Sequence, residues 1–316
     1  MDKPKVIQYP CPADRSMQPA QVQFAESGDP RPLVVALHTW SFGYDSSCEN
    51  YAELCRKYDL HLIYPHFRGP NWTPDALGSD LAVADIASAV NFMRETVAVD
   101  PERVYLIGGS GGGHMTLLML GRHPEVFAAG AAFCPITDLS RWHADSLAEH
   151  PGRGKGYAKM MESACGGTPA EKPEEYASRS PLTWLAGAKA QNVPAYICTG
   201  IHDGWWGSVP VGHSFRGFNA LADAKDRVSE EDIAYFEANQ AVPVSLASKW
   251  EDPFYGEKNR IHFRRTSGLA RLTIFEGGHG GNFPAGFDFL SRQRKGDPVD
   301  WTLPSKGSGG YESLGK

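Results

Sequence analysis

Six short apolar runs punctuate the chain: Leu33–Leu37, Leu60–Tyr64, Val104–Ile107, Ala129–Cys134, Ala195–Thr199 and Leu272–Phe275. They are too short for typical helices and apolar throughout rather than at alternate positions, so they read as strands buried on both faces. Between them lie segments of helical character. From Ser79 to Val97, the apolar residues Ile86, Val90, Met93 and Val97 recur at helical spacing. Further helices are expected over Ser47–Tyr58 and from the glycines after Ile107 to Arg122, where Pro124 stops the pattern. Strands of this kind alternating with helices require a mostly parallel central sheet flanked by helices on both faces, an α/β fold. Ligands of such sheets bind at the carboxyl ends of the strands. Chemically active residues should therefore follow strands directly.

Two stretches interrupt the alternation, 139–190 and 211–268, both far longer than an ordinary connection. The second includes helical patterns near His213–Asp223 and Ser229–Asn239. We read both as insertions forming a lid over the active edge of a single domain spanning 1–316. The glycine-rich tail 306–316 reads as loosely held.

Composition narrows the field. The 316 residues are 41% hydrophobic and 22% charged, ample for a core. Lys and Arg number 31 against 37 Asp and Glu, a net charge of −6, so no basic excess exists to neutralise a nucleic-acid backbone. No apolar run approaches the ~18 residues of a spanning helix, so no membrane partner is expected. Six cysteines include no C-x-x-C, and Cys134 and Cys198, within apolar runs, read as small core residues. No H-E-x-x-H occurs, so no metal site and no cofactor is expected. The start, Met1-Asp2-Lys3-Pro4-Lys5, lacks the apolar stretch of a signal peptide. Cytoplasmic residence and export with the leader removed both stay open, as does the oligomeric state.

The chemistry is concentrated in three loops. Gly108-Gly109-Ser110-Gly111-Gly112 is a G-x-S-x-G set directly after a strand and before a helix. A serine on that sharp turn projects its hydroxyl above the sheet, and the helix N-terminus favours developing negative charge. The same glycines could serve a phosphate-binding turn. However, no acidic residue ends a strand about 20 positions on, as ribose binding would require. A serine nucleophile needs a base, itself oriented by a carboxylate. Asp203 follows the strand ending at Thr199, and His279 stands between glycines after the strand ending at Phe275. The chain order is Ser110, Asp203, His279, the order of α/β-hydrolases. Asp252, Glu251 and Glu276 are the rival acids.

With those residues in hand, the chain resembles the α/β-hydrolase superfamily and, within it, the prolyl-oligopeptidase-like serine peptidases and esterases. The resemblance is carried by Gly108–Gly112, Asp100-Pro101-Glu102-Arg103-Val104-Tyr105, Gly200–Asp203 with Ser208-Val209-Pro210, and Gly277-Gly278-His279. It implies an α/β-hydrolase fold, Ser110 as nucleophile, His279 as general base and acid, and Asp203 as its orienting acid. It also implies an oxyanion hole made by the N–H of Gly111 and a donor from the loop after Leu37, Trp40 ahead of Thr39. The chain departs from the peptidases in three ways. The first buried strand begins at Leu33, leaving little room for a propeller ahead of it; the loop after that strand reads His38-Thr39-Trp40 rather than His-Gly; and the segment from acid to histidine is long.

These features favour an esterase cleaving carboxylic esters through an acyl-enzyme, acting on acylated carbohydrates (acetyl or feruloyl esters). A serine peptidase of the prolyl-oligopeptidase type is the alternative. A catalytically silent hydrolase-fold binding protein is another, though it would have no need of all three residues. Aromatic residues crowd the expected site loops. Trp205, Trp206 and Tyr44 are expected to bind substrate, with structural anchoring as the competing role. His38, His66 and His114 are expected to be structural, and Arg68 and Arg141 are possible anion contacts. Activity should rise with pH near neutrality, because His279 must be neutral to act as base.

Overall fold

The computed structural model describes residues 3–148 and 156–304, so the tail 306–316 lies outside the described residues. Within them, nine strands form one sheet. They are β1 (Lys5–Cys11), β2 (Ser16–Gln23), β3 (Arg31–Leu37), β4 (His61–Pro65), β5 (Val99–Gly109), β6 (Ala129–Phe133), β7 (Ala195–Gly200), β8 (Ile261–Ser267) and β9 (Ala270–Phe275). Their order is β1-β2-β4-β3-β5-β6-β7-β9-β8. The block from β4 to β9 is parallel throughout. The β1–β2 hairpin joins β4 antiparallel at one edge, and β8 joins β9 antiparallel at the other. This is the α/β-hydrolase fold.

The helices are α1 (Glu49–Tyr58), α2 (Asp80–Thr96), α3 (Gly111–Arg122), α4 (Leu139–Leu147), α5 (Gly156–Cys165), α6 (Pro173–Ser178), α7 (Pro181–Ala190), α8 (Gly212–Leu221), α9 (Glu230–Asn239) and α10 (Phe283–Ser291). Two apolar cores separate the layers. On one face α2, α3, α7 and α8 cover the sheet, with Phe236 of α9 packed against Phe215 of α8. On the other face α1 and α10 enclose Ile107, Phe133 and Cys198. The expected segments 139–190 and 211–268 thus supply α7 and α8 to the layer itself. By contrast, α4, α5 and α6 gather in a third apolar cluster with Trp40, Leu77 and Val209, beside the loop after β3.

Three strands went unread in the sequence. In β2 the inward positions are Gln18, Ala20 and Val22, so the alternation hides behind a buried glutamine. In β8 the buried Arg264 breaks the apolar pattern, its guanidinium held by Asp252 at 2.7 Å and by Thr273 at 3.0 Å. β1 and β8 lie at the two edges of the sheet, and an edge strand is half solvated and lacks the continuous apolar run of the parallel strands.

Candidate active site

Ser110 caps α3 at the turn after β5 with φ 56° and ψ −119°, a left-handed conformation unusual for a residue with a Cβ. Strain of this kind persists only where the surroundings hold it. Here the Ser110 amide donates to the carbonyl of Phe133 at 2.9 Å, and its carbonyl accepts from the His114 amide at 2.9 Å. Gly111 follows as the first residue of α3, where a main-chain N–H has no partner within the helix. A Cβ on Gly111 would stand 2.7 Å from the main-chain nitrogen of Trp40, so glycine is what lets the Trp40 main chain come this close to the start of α3.

The Trp40 loop is pinned from behind by Asn71. Its amide donates to the Trp40 carbonyl at 2.9 Å, its Nδ2 reaches the same oxygen at 3.4 Å, and its Oδ1 accepts from the Leu77 amide at 3.1 Å. Asn71 is fully buried. The Trp40 indole meets Trp142 edge-on at 4.7 Å, and its Nε1 donates to Met160 Sδ at 3.2 Å, so the helices α4 and α5 rest on this loop.

At the end of β7, Asp203 is buried and accepts from Thr199 Oγ1 at 3.0 Å, the Gly204 amide at 2.9 Å and the Val209 amide at 3.3 Å. His279, after β9, bonds this carboxylate through Nδ1 at 2.9 and 3.0 Å. A Cβ on Gly207 would come within 2.3 Å of His279 Cβ and 2.5 Å of Asp203 Oδ1, so the main chain closes tightly over the pair. The Nε2 of His279 lies 3.8 Å from Sγ of Cys134, the residue after β6. Burial alone would lower the His279 pKa, but the Cys134 sulfur and the Asp203 carboxylate outweigh it and raise it above 6.5. The structure therefore moves the titration upward from the expected neutral range.

Two of the rival acids are engaged elsewhere. Asp252 pairs with Arg264, and Glu276 accepts from His202 and His262, each at 2.8 Å. The other candidates separate clearly. Trp206 is 67% exposed and stacks on the His202 ring at 3.9 Å. Trp205 is half-buried with Nε1 donating to the Glu237 carbonyl, and Tyr44 sits edge-on to His66. Arg68, considered for an anion, is tied to Asp85 and Asp14, while Arg141 lies 3.9 Å from Glu237. His38 is stacked on Phe67 at 3.8 Å, and His114 bonds the Arg179 carbonyl. Three residues at the site carried no sequence signal: Asn71, Gly207 and Cys134. Their roles depend on neighbours that only the folded chain brings together.

Comparison with known proteins agrees with this geometry. Residues 62–238 match the prolyl oligopeptidase family. The acylamino-acid-releasing enzyme 1 of Oryza sativa subsp. japonica is 29% identical over 139 residues, 40% of this chain and 18% of that protein. Feruloyl esterase B of Neurospora crassa is 35% identical over 123 residues, 33% of this chain and 39% of the relative. The chain thus spans well under half the length of either. Among solved structures, the acylaminoacyl peptidase of Pyrococcus horikoshii in its orthorhombic form superposes with a TM-score of 0.64 at 16% identity. That superposition covers 95% of this chain and 43% of the other.

Proposed function

The chain belongs to the prolyl oligopeptidase family, and on that premise we propose that it is a serine hydrolase cleaving carboxylic esters through an acyl-enzyme. The observation that carries this reading is the Asp203–His279 bond at 2.9 Å, in a chain whose Ser110 is held at φ 56° on the turn before α3. In the reaction, Ser110 Oγ attacks the ester carbonyl while His279 Nε2 takes the hydroxyl proton. Asp203 keeps Nδ1 protonated and stabilises the imidazolium that forms. The oxyanion is met by the Gly111 and Trp40 amides, each worth about 2.7–4 kcal/mol in comparable sites. The imidazolium then gives its proton to the departing alkoxide, and the alcohol leaves. Water, deprotonated by the same Nε2, attacks the acyl-enzyme and releases the acid, returning the proton to Ser110.

The favoured substrates are acylated carbohydrates bearing acetyl or feruloyl groups. The likeness to feruloyl esterase B supports this class, and so does the exposed indole of Trp206, a flat face of the kind that sugar or aromatic acyl rings stack on. The likeness to an acylamino-acid-releasing enzyme favours a second reading, amide hydrolysis by the same triad. Comparing kcat/KM on acetyl, butyryl and feruloyl esters with acylated amide substrates separates them. Faster ester turnover, greatest on feruloyl or acetyl sugars, is the expected result. Faster amide turnover would reverse the assignment.

A further inference from the structure

Cys134 has no part in the hydrolytic steps, yet its sulfur stands at the nitrogen on which they depend. Among the described residues, Cys134, Asp203 and His279 form a group of metal-ligating side chains whose ligand atoms all lie within 4.8 Å of one another. We propose that Cys134 Sγ and His279 Nε2 form an inhibitory binding site for a thiophilic divalent cation, Zn²⁺ being the reference case.

The spacing fits the ion. Zinc takes sulfur at about 2.3 Å and imidazole nitrogen at about 2.0–2.1 Å in a tetrahedron, which sets the two donor atoms about 3.5 Å apart. The observed separation is 3.8 Å, so a few tenths of an ångström of side-chain movement completes the chelate. Both donors are held in place. The Cys134 amide donates to the Cys198 carbonyl at 2.8 Å, and the adjacent Phe133 carbonyl accepts from the Ser110 amide, which fixes the main chain at Cys134 beside that of Ser110. Asp203 already receives Thr199, Gly204 and Val209 as well as Nδ1, so it serves behind the imidazole rather than on the ion. A carboxylate on the far nitrogen is the arrangement that orients metal-bound histidines and strengthens them as donors.

On binding, the thiol releases its proton to solvent, the thiolate and the Nε2 lone pair each donate to the cation, and water fills the remaining positions. The lone pair that would take the Ser110 proton is then engaged, and hydrolysis stops while the ion stays. The His279 side chain is 24% exposed, which leaves the ion a path from solvent.

The inhibitory arm rests on the reading of His279 as base, whereas the binding arm does not. For a site of Kd about 10 µM, mass action leaves about a tenth of the activity at about 100 µM free Zn²⁺. The experiment titrates Zn²⁺ into metal-free wild type and Cys134→Ala, each scored against its own metal-free rate. About tenfold inhibition is expected in wild type and less than about twofold in Cys134→Ala. In parallel, Cd²⁺ is titrated into Ser110→Ala, where a thiolate-to-metal absorption band should saturate at one equivalent. The band should be missing when Cys134→Ala is added. If Cys134→Ala fails to fold, peptide mapping of wild type replaces it, with Zn²⁺ expected to slow iodoacetamide alkylation of Cys134. Equal inhibition of both proteins, or no band and no protection, overturns the site. A band without inhibition upholds the site and counts instead against His279 as base.

Discussion

His279 works between opposing influences, and their balance sets a pH dependence. Burial disfavours its charged form, while the Cys134 sulfur and the Asp203 carboxylate favour it and prevail. On the proposed role of His279 as base, the ring must be neutral, so a raised pKa delays activity to higher pH. We expect kcat/KM to climb through an apparent pKa above 6.5, the ordinary value, and to be lost on the acid side. A pH–rate profile measures this, and a midpoint at or below 6.5 would contradict the electrostatic account. Asp203→Asn removes the carboxylate charge and misorients the ring. It should lower kcat by at least about 10²-fold, a cautious part of the roughly 10⁴-fold known for such a change, and move the midpoint down. Glu276→Gln, whose carboxylate serves His202 and His262, should retain most activity in the same assay. Gly207→Ala would press a methyl into both His279 and Asp203, so its kcat should fall while its fold, read by circular dichroism, persists. The Asp203–His279 pairing was legible because each residue follows an apolar strand, as Ser110 also does. Gly207 and Asn71 were not, since a close approach between distant loops leaves no periodic trace in the chain.

At the scale of elements, the sheet divides by environment. The parallel strands β3, β4, β5, β6, β7 and β9 were all readable, being apolar along their whole length and covered on both faces. The antiparallel strands β1, β2 and β8 were not, because their inward positions include Gln18 and Arg264. The Arg264–Asp252 pair at the β8 edge is almost wholly buried, with side chains 4% and 2% exposed. Removing one partner leaves the other charge buried and unpaired, which costs about 3–5 kcal/mol. Asp252→Ala should therefore lower the thermal midpoint sharply while the surviving folded fraction keeps its kcat. A large loss of kcat with unchanged stability would mean that Asp252 serves the reaction after all.

For the molecule as a whole, the sheet, its two helical layers and the α4–α6 cluster converge on the Trp40 loop. We propose that this cluster acts as a lid on the site. Trp142 links the parts, being fully buried, edge-on to Trp40, and bonded through Nε1 to the Ser208 carbonyl at 2.8 Å. Truncating a buried tryptophan costs about 3–5 kcal/mol, so Trp142→Ala should lower stability and, by loosening the loop we propose as an oxyanion donor, kcat. Single-turnover kinetics alongside thermal melts would read both, and an unaltered kcat would detach the cluster from catalysis. The measurement that tests the central claim most directly is covalent labelling with a fluorophosphonate, mapped by peptide mass spectrometry on wild type and Ser110→Ala. The account predicts one adduct, on Ser110, abolished by the substitution and accompanied by complete loss of hydrolysis. An adduct elsewhere, or labelling and turnover that survive in Ser110→Ala, would contradict it.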